Sequence, residues 1–215
     1  MNLEGSMRIS PLRVAVKCVT LLLHFNSGSS SVTRDTRRVP AAFVDPRQVK
    51  NTSSSSATVN LAELLSAAIA VAEAGGREAK EVREQADIGD YDTRDYDPKT
   101  DGDMRSYVQM FYGLKKRFPN LNIISEEHDT EDVDTSKVPM ADLNNAEVKE
   151  LLGQNDIKVR AGDVAVWIDP LDATMDYEEN HLQYVTTMVC VAVKGVPTLG
   201  IIHKPFGDDG TPRTV

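Results

Sequence analysis

Apolar positions recur along the chain at helical spacing in some stretches and in short unbroken runs in others. After Asn60, the residues Leu61, Leu64, Leu65, Ala68, Val71 and Ala72 fall on one side of a helix. Asn60 stands as its cap, with Glu63 three residues on in a capping-box arrangement. The pattern continues past Gly75 and Gly76 to Val82, with charged residues filling the outer face. A second stripe, Met104, Val108, Phe111 and Leu114, predicts another helix, capped at Thr100 or Asp101 and ended before Pro119. Ala146 to Leu152 predicts a third.

Short apolar runs predict strands. "LNII" leads into "SEEHD", and "VAVWI" leads into "DPLD". "YVTTMVCVAVKGVPTLGIIHKPF" reads as two β-rich runs joined by a turn at Lys194 to Pro197, with Val189, Val191 and Val193 in alternation. The stretch from Asp87 to Asp103 has no periodicity and predicts a loop. Helices first, then strands mixed with helices, give an α/β (α+β) sandwich without internal repeats.

Upstream of Asn60 the pattern changes. An apolar run from Val14 to Phe25 follows Arg8 and Arg13 and carries Lys17 inside it, well short of the ~20 apolar residues of a spanning helix. A degenerate signal-anchor over residues 1–25, a signal-peptide core, and neither of these all fit the residues. Residues 26–59 are rich in Ser and Thr and read as a disordered linker, which leaves 60–215 as the folded part. "NTS" at Asn51 is a glycosylation acceptor only if that linker faces a secretory lumen.

Composition narrows the function classes. A formal net charge of −9 argues against nonspecific nucleic-acid binding, which needs a basic field. An anionic small molecule stays open, because bound metal ions reverse the local sign. Cys18 and Cys190 make neither a disulfide framework nor a zinc cluster.

With 33 acidic residues, most acidic pairs mean nothing by themselves. Three local arrangements mean more. Glu126 and Glu127 follow one apolar strand, Asp169 and Asp172 follow another, and Asp103 sits at a predicted helix start. Ligands collect at strand carboxyl ends in open α/β sheets, and carboxylates gathered there repel unless a cation neutralises them. Oxygen-only ligands suit a hard cation, magnesium above all. Pro170 is expected to turn the chain so that Asp172 aims at the same point as Asp169, with the Leu171 carbonyl as a further oxygen. Backbone N–H groups at Ala173 and Thr174 then suit a phosphate oxygen, and the Thr174 hydroxyl a water. An Asp-Pro turn with solvated acids fits the same spacing. A calcium hand in the Asp-rich loop fails, because Lys99 and Val108 occupy ligand positions three and twelve. His128 and His203 lack partners at ligand spacing and read as surface or packing residues.

The segments "TDGD", "SEE" and "DPLDAT" occur in the order that marks the inositol monophosphatase superfamily of magnesium-dependent, lithium-sensitive phosphatases, and the chain resembles that family from about Asn60 to Phe206. The resemblance implies an αβαβα layered sandwich, of which this chain would hold only the N-terminal part. It implies metal binding by Glu126, Asp169, Asp172 and the Leu171 carbonyl, water activation by Thr174 paired with Asp103, and phosphate binding at Asp172, Ala173 and Thr174. Ala173 in place of the family's usual glycine, with "YVTTMVCVAVKG" and "LGIIHKPF", is similar to a Golgi-located, membrane-anchored branch with a lumenal catalytic domain. That branch hydrolyses the 3′-phosphate of 3′-phosphoadenosine 5′-phosphate to AMP and phosphate.

Three other readings stay beside it: an inositol monophosphate phosphatase, a non-catalytic truncated metal-binding protein, and a membrane-tethered structural protein. The family also carries a metal-binding Asp in a Trp-Asp context further along, and the only tryptophan here is Trp167. The expectation is therefore an incomplete second metal position, uncovered strands near Cys190 and Ile201, and weak or no activity from these 215 residues alone.

Overall fold

In the computed structural model the described residues are 57–87, 98–125, 127, 133–153, 156–207 and 209–215. The expected anchor and most of the expected linker lie outside them. The folded part includes residues slightly before Asn60: strand β1 (Thr58–Asn60) pairs antiparallel with β3 (Lys158–Arg160), and Val59 is buried in the core.

Helix α1 spans Leu61–Asp87 and α2 spans Pro98–Arg117. Asn60 caps α1, its Oδ1 accepting from the Ala62 N–H at 2.8 Å. Helix α2 starts at Pro98, ahead of the expected cap at Thr100 or Asp101. Proline suits a first helical position, since its fixed φ is already helical and its missing N–H has no intrahelical partner there. The inner stripe of α2 is also rotated from the one its apolar residues suggest. Tyr107, Met110 and Leu114 are buried, and so are Gly102, Asp103, Ser106 and Gly113, whereas Met104, Val108 and Phe111 are only half-buried. Small and polar residues on the inner face hide it from an apolar pattern.

Strands β2 (Asn122–Ser125), β4 (Val164–Asp172), β5 (Thr186–Val193), β6 (Val196–Lys204) and β7 (Arg213–Thr214) form a sheet in the order β2-β4-β5-β6-β7. Only the β2–β4 pair is parallel. Helix α3 (Ala146–Leu152) matches the expected third helix, with Asn145 as its cap. The β5–β6 turn is two residues, Lys194 (φ 53°) and Gly195 (φ 77°), as tight hairpins favour. Pro197 therefore lies in β6 rather than in the turn, next to a register shift.

The core lies between the helix layer and the sheet: Leu64, Val71 and Leu114 meet Val166, Ile168 and Val189. Cys190 and Ile201 are 1% and 2% exposed, so the expected uncovering of these strands is not seen.

The helices approach closely at Gly75 of α1. A Cβ there would stand 2.5 Å from the Ser106 Oγ and 2.7 Å from the Met110 Sδ. Ser106 in turn donates to the Pro170 carbonyl of β4 at 2.7 Å, so this glycine sets how the helix pair seats on the sheet. We predict that Gly75→Ala destabilises the fold by about 1–3 kcal/mol in urea unfolding, overpacking outweighing the ~1 kcal/mol gain in helix propensity. A more stable variant would show that the helices do not meet as described.

Candidate active site

Strand side chains alternate between faces, so Asp169 and Asp172 of a regular strand would point to opposite sides of the sheet. In β4 they do not. Asp169 pairs with Met188 and Asp172 with Thr186, two residues apart on β5, and the register shifts between them. That shift is a β-bulge: one extra residue on β4 brings both carboxylates to one face. Pro170 stands within it, where a residue without an N–H is tolerated in a sheet. The sequence reading ends this strand at Ile168 and places a turn after Asp169; the strand instead runs to Asp172, and the bulge does the turn's work.

Burial separates the two carboxylates. Asp169 is 7% exposed, while Asp172 is half-buried at the strand's end. Thr186, itself 3% exposed, donates to the Asp172 Oδ2 at 3.3 Å. The Leu171 side chain is buried with Ala79, Tyr177, Val185 and Phe206, which fixes the bulged backbone from beneath.

Ala173 follows in the left-handed conformation (φ 67°, ψ 48°) and opens the short helix α4 (Thr174–Glu178). Ala173 offers no side-chain cap to the helix, so the first-turn N–H groups receive no oxygen from it. Tyr177 anchors α4, its hydroxyl donating to the Ala79 carbonyl of α1 at 2.8 Å. The same ring lies over Gly102, where a Cβ would come within 3.0 Å of the hydroxyl.

Asp103 is not at a helix start, as its sequence context suggests; with α2 beginning at Pro98 it falls in the second turn and is 7% exposed. It lies one turn before Ser106 and beside Gly102, on the same inner face. Ser106 is fixed to the Pro170 carbonyl and Gly102 to Tyr177, which brings Asp103 to the end of the sheet that carries Asp172 and Thr174.

Glu126 and His128 lie outside the described residues. Strand β2 ends at Ser125, which pairs with Ile168, one residue before Asp169. Among the described residues no three His, Cys, Asp or Glu side chains form a group able to hold a metal. The donors present nonetheless suit a hard divalent ion in kind: Asp169 and Asp172 offer only oxygen, on one face, one of them buried. His203 is a packing residue. It is buried over Gly76, its Nδ1 is 2.9 Å from the Thr214 hydroxyl, and burial pushes its imidazole below the ordinary histidine value.

Residues 60–211 match the inositol monophosphatase family, and the chain belongs to that family, with its layered α/β fold. It is 45% identical over 158 residues to the Golgi-resident adenosine 3′,5′-bisphosphate 3′-phosphatase of Rattus norvegicus, covering 70% of this chain and 43% of that protein. The protein of the same name from Homo sapiens is 38% identical over 222 residues, covering 94% and 58%. Inositol monophosphatase 3 of Danio rerio is 37% identical over 208 residues, covering 93% and 55%. The chain thus spans about half the length of the curated relatives it matches. Among solved structures, CysQ from Bacteroides thetaiotaomicron aligns with a TM-score of 0.44 at 19% identity, over 69% of this chain and 47% of that one.

The left-handed Ala173 gives a direct check on the local backbone. A non-glycine residue there costs roughly 1–2 kcal/mol, part of which glycine returns through its freer unfolded chain. Ala173→Gly is expected to raise stability by roughly 0.5–1 kcal/mol in urea unfolding. A loss would mean that Ala173 is not left-handed.

Proposed function

We propose that this chain carries the metal-binding and water-orienting part of a phosphatase site that removes the 3′-phosphate of 3′-phosphoadenosine 5′-phosphate, giving AMP and phosphate. The observation that carries this reading is the β4 bulge, which turns Asp169 and Asp172 to one face at a strand end. Carboxylates gathered on one face repel each other unless a cation is shared between them. The family uses metal ions, and Mg2+ is the ion proposed here, held by Asp169, Asp172, Glu126 and the Leu171 carbonyl. Bound there, Mg2+ would supply Lewis acidity and a more acidic water.

The chain's own groups have separate tasks in this reading. The Thr174 hydroxyl and the Asp103 carboxylate orient the attacking water and take up its proton. Asp172 and the backbone N–H groups at Ala173 and Thr174 hold the phosphate, supported by the lack of a side-chain cap at that turn. Tyr177 and Ser106 keep the two elements in register through Ala79 and Pro170.

The bisphosphate substrate and a Golgi location rest on the names of the rat and human relatives. A lumenal domain on a membrane anchor in residues 1–25 belongs to the same reading, and among the described residues no helix is long and apolar enough to cross a membrane. Inositol monophosphate is the second reading, favoured by the zebrafish relative's name at similar identity.

Two measurements on the purified chain test the proposal. Calorimetric titration with Mg2+ is expected to show binding that weakens at least tenfold in Asp169→Asn and Asp172→Asn. Phosphate release, slow but Mg2+-dependent, is expected to be faster from 3′-phosphoadenosine 5′-phosphate than from inositol monophosphate. Asparagine variants that titrate like the unmodified chain would overturn the metal site, and the reverse substrate order would favour the second reading.

A further inference from the structure

The consecutive threonines of β5 do opposite things. Strand alternation sends Thr187 to the helix side, where its hydroxyl donates to the Ala72 carbonyl of α1 at 2.7 Å. Thr186 faces the other way, and its hydroxyl donates to the Asp172 Oδ2 at 3.3 Å. Both threonines are buried, at 3% and 0% exposed, so neither hydroxyl is there for solubility. A buried hydroxyl needs a partner, and each has a different one.

The geometry points to Thr186 as a positioning residue for the metal carboxylate, acting through Asp172 rather than on substrate. This inference rests on the proposed metal site. Asp172 terminates β4 immediately after a bulge and just before a left-handed residue. The bond to Oδ2 from the neighbouring strand restricts the carboxylate's rotation. Partners of this kind orient a ligand and tune its basicity, and their removal commonly weakens metal binding 10–100-fold. Serine keeps the hydroxyl and loses only a methyl. Valine keeps the shape and loses the donor.

Thr187 supplies the matching control, since it bonds a helix carbonyl and touches the sheet from the opposite face. The experiment is calorimetric titration of Mg2+ into the full chain and its Thr186→Val, Thr186→Ser and Thr187→Val variants, with urea unfolding run on each. Thr186→Val is expected to weaken Mg2+ binding about tenfold, Thr186→Ser to restore it to within about twofold, and Thr187→Val to lower stability while leaving Mg2+ affinity unchanged. Equal affinity in Thr186→Val and the unmodified chain overturns the inference while leaving the metal site standing. An equal loss of affinity in Thr187→Val also overturns it, since the effect would then follow stability. An unmodified chain that takes up no Mg2+ overturns the metal site and this inference with it.

Discussion

One extra residue in a strand decides the geometry of this protein's candidate site. Asp169 and Asp172 share a face only because β4 bulges between them, with Asp169 opposite Met188 and Asp172 opposite Thr186. Remove the bulge and the period of the strand returns Asp172 to the helix side, among Ala79, Tyr177 and Phe206. Carboxylates brought onto one face repel by an amount that grows as the local dielectric falls; for any two unit charges at 4 Å it is about 1 kcal/mol in water and ~4 kcal/mol near a protein surface. The fold keeps that arrangement because the bulge is fixed from several directions.

Those fixings pass through the helix layer. Gly75 leaves room for Ser106, Ser106 bonds the Pro170 carbonyl, and the Leu171 side chain fills the pocket under Tyr177 and Phe206. Tyr177 in turn hangs α4 from the Ala79 carbonyl, which sets where Ala173 and Thr174 stand. Arg105 adds a polar clamp on the outside of the helix pair, its Nε donating to Glu78 at 2.8 Å. The site is therefore a property of three helices, α1, α2 and α4, and two strands, β4 and β5, together.

Much of this was legible in the sequence. The helical stripe after Asn60, the strand runs at "LNII" and "VAVWI", and the Val-rich hairpin all appear where periodicity puts them. What sequence reading missed follows from two physical causes. The inner face of α2 is written partly in Gly102, Asp103, Ser106 and Gly113, and an apolar pattern cannot register residues buried for shape or for chemistry. The bulge is hidden because a proline after an apolar run also fits the end of a strand; a proline inside an otherwise continuous strand pattern is itself a signal of a bulge. Thr186 gave no local signal at all, since its role depends on the cross-strand register. Glu126, expected from its place after a strand, lies outside the described residues.

The account turns on whether Asp169 and Asp172 hold one ion between them. A crystal structure of the chain grown with Mn2+ in place of Mg2+, with anomalous difference density calculated at the manganese edge, tests this most directly. The account predicts a peak within ligand distance of both carboxylates, ~2.1–2.3 Å. Asp169 and Asp172 on opposite faces of the sheet, with no peak at either, would contradict it.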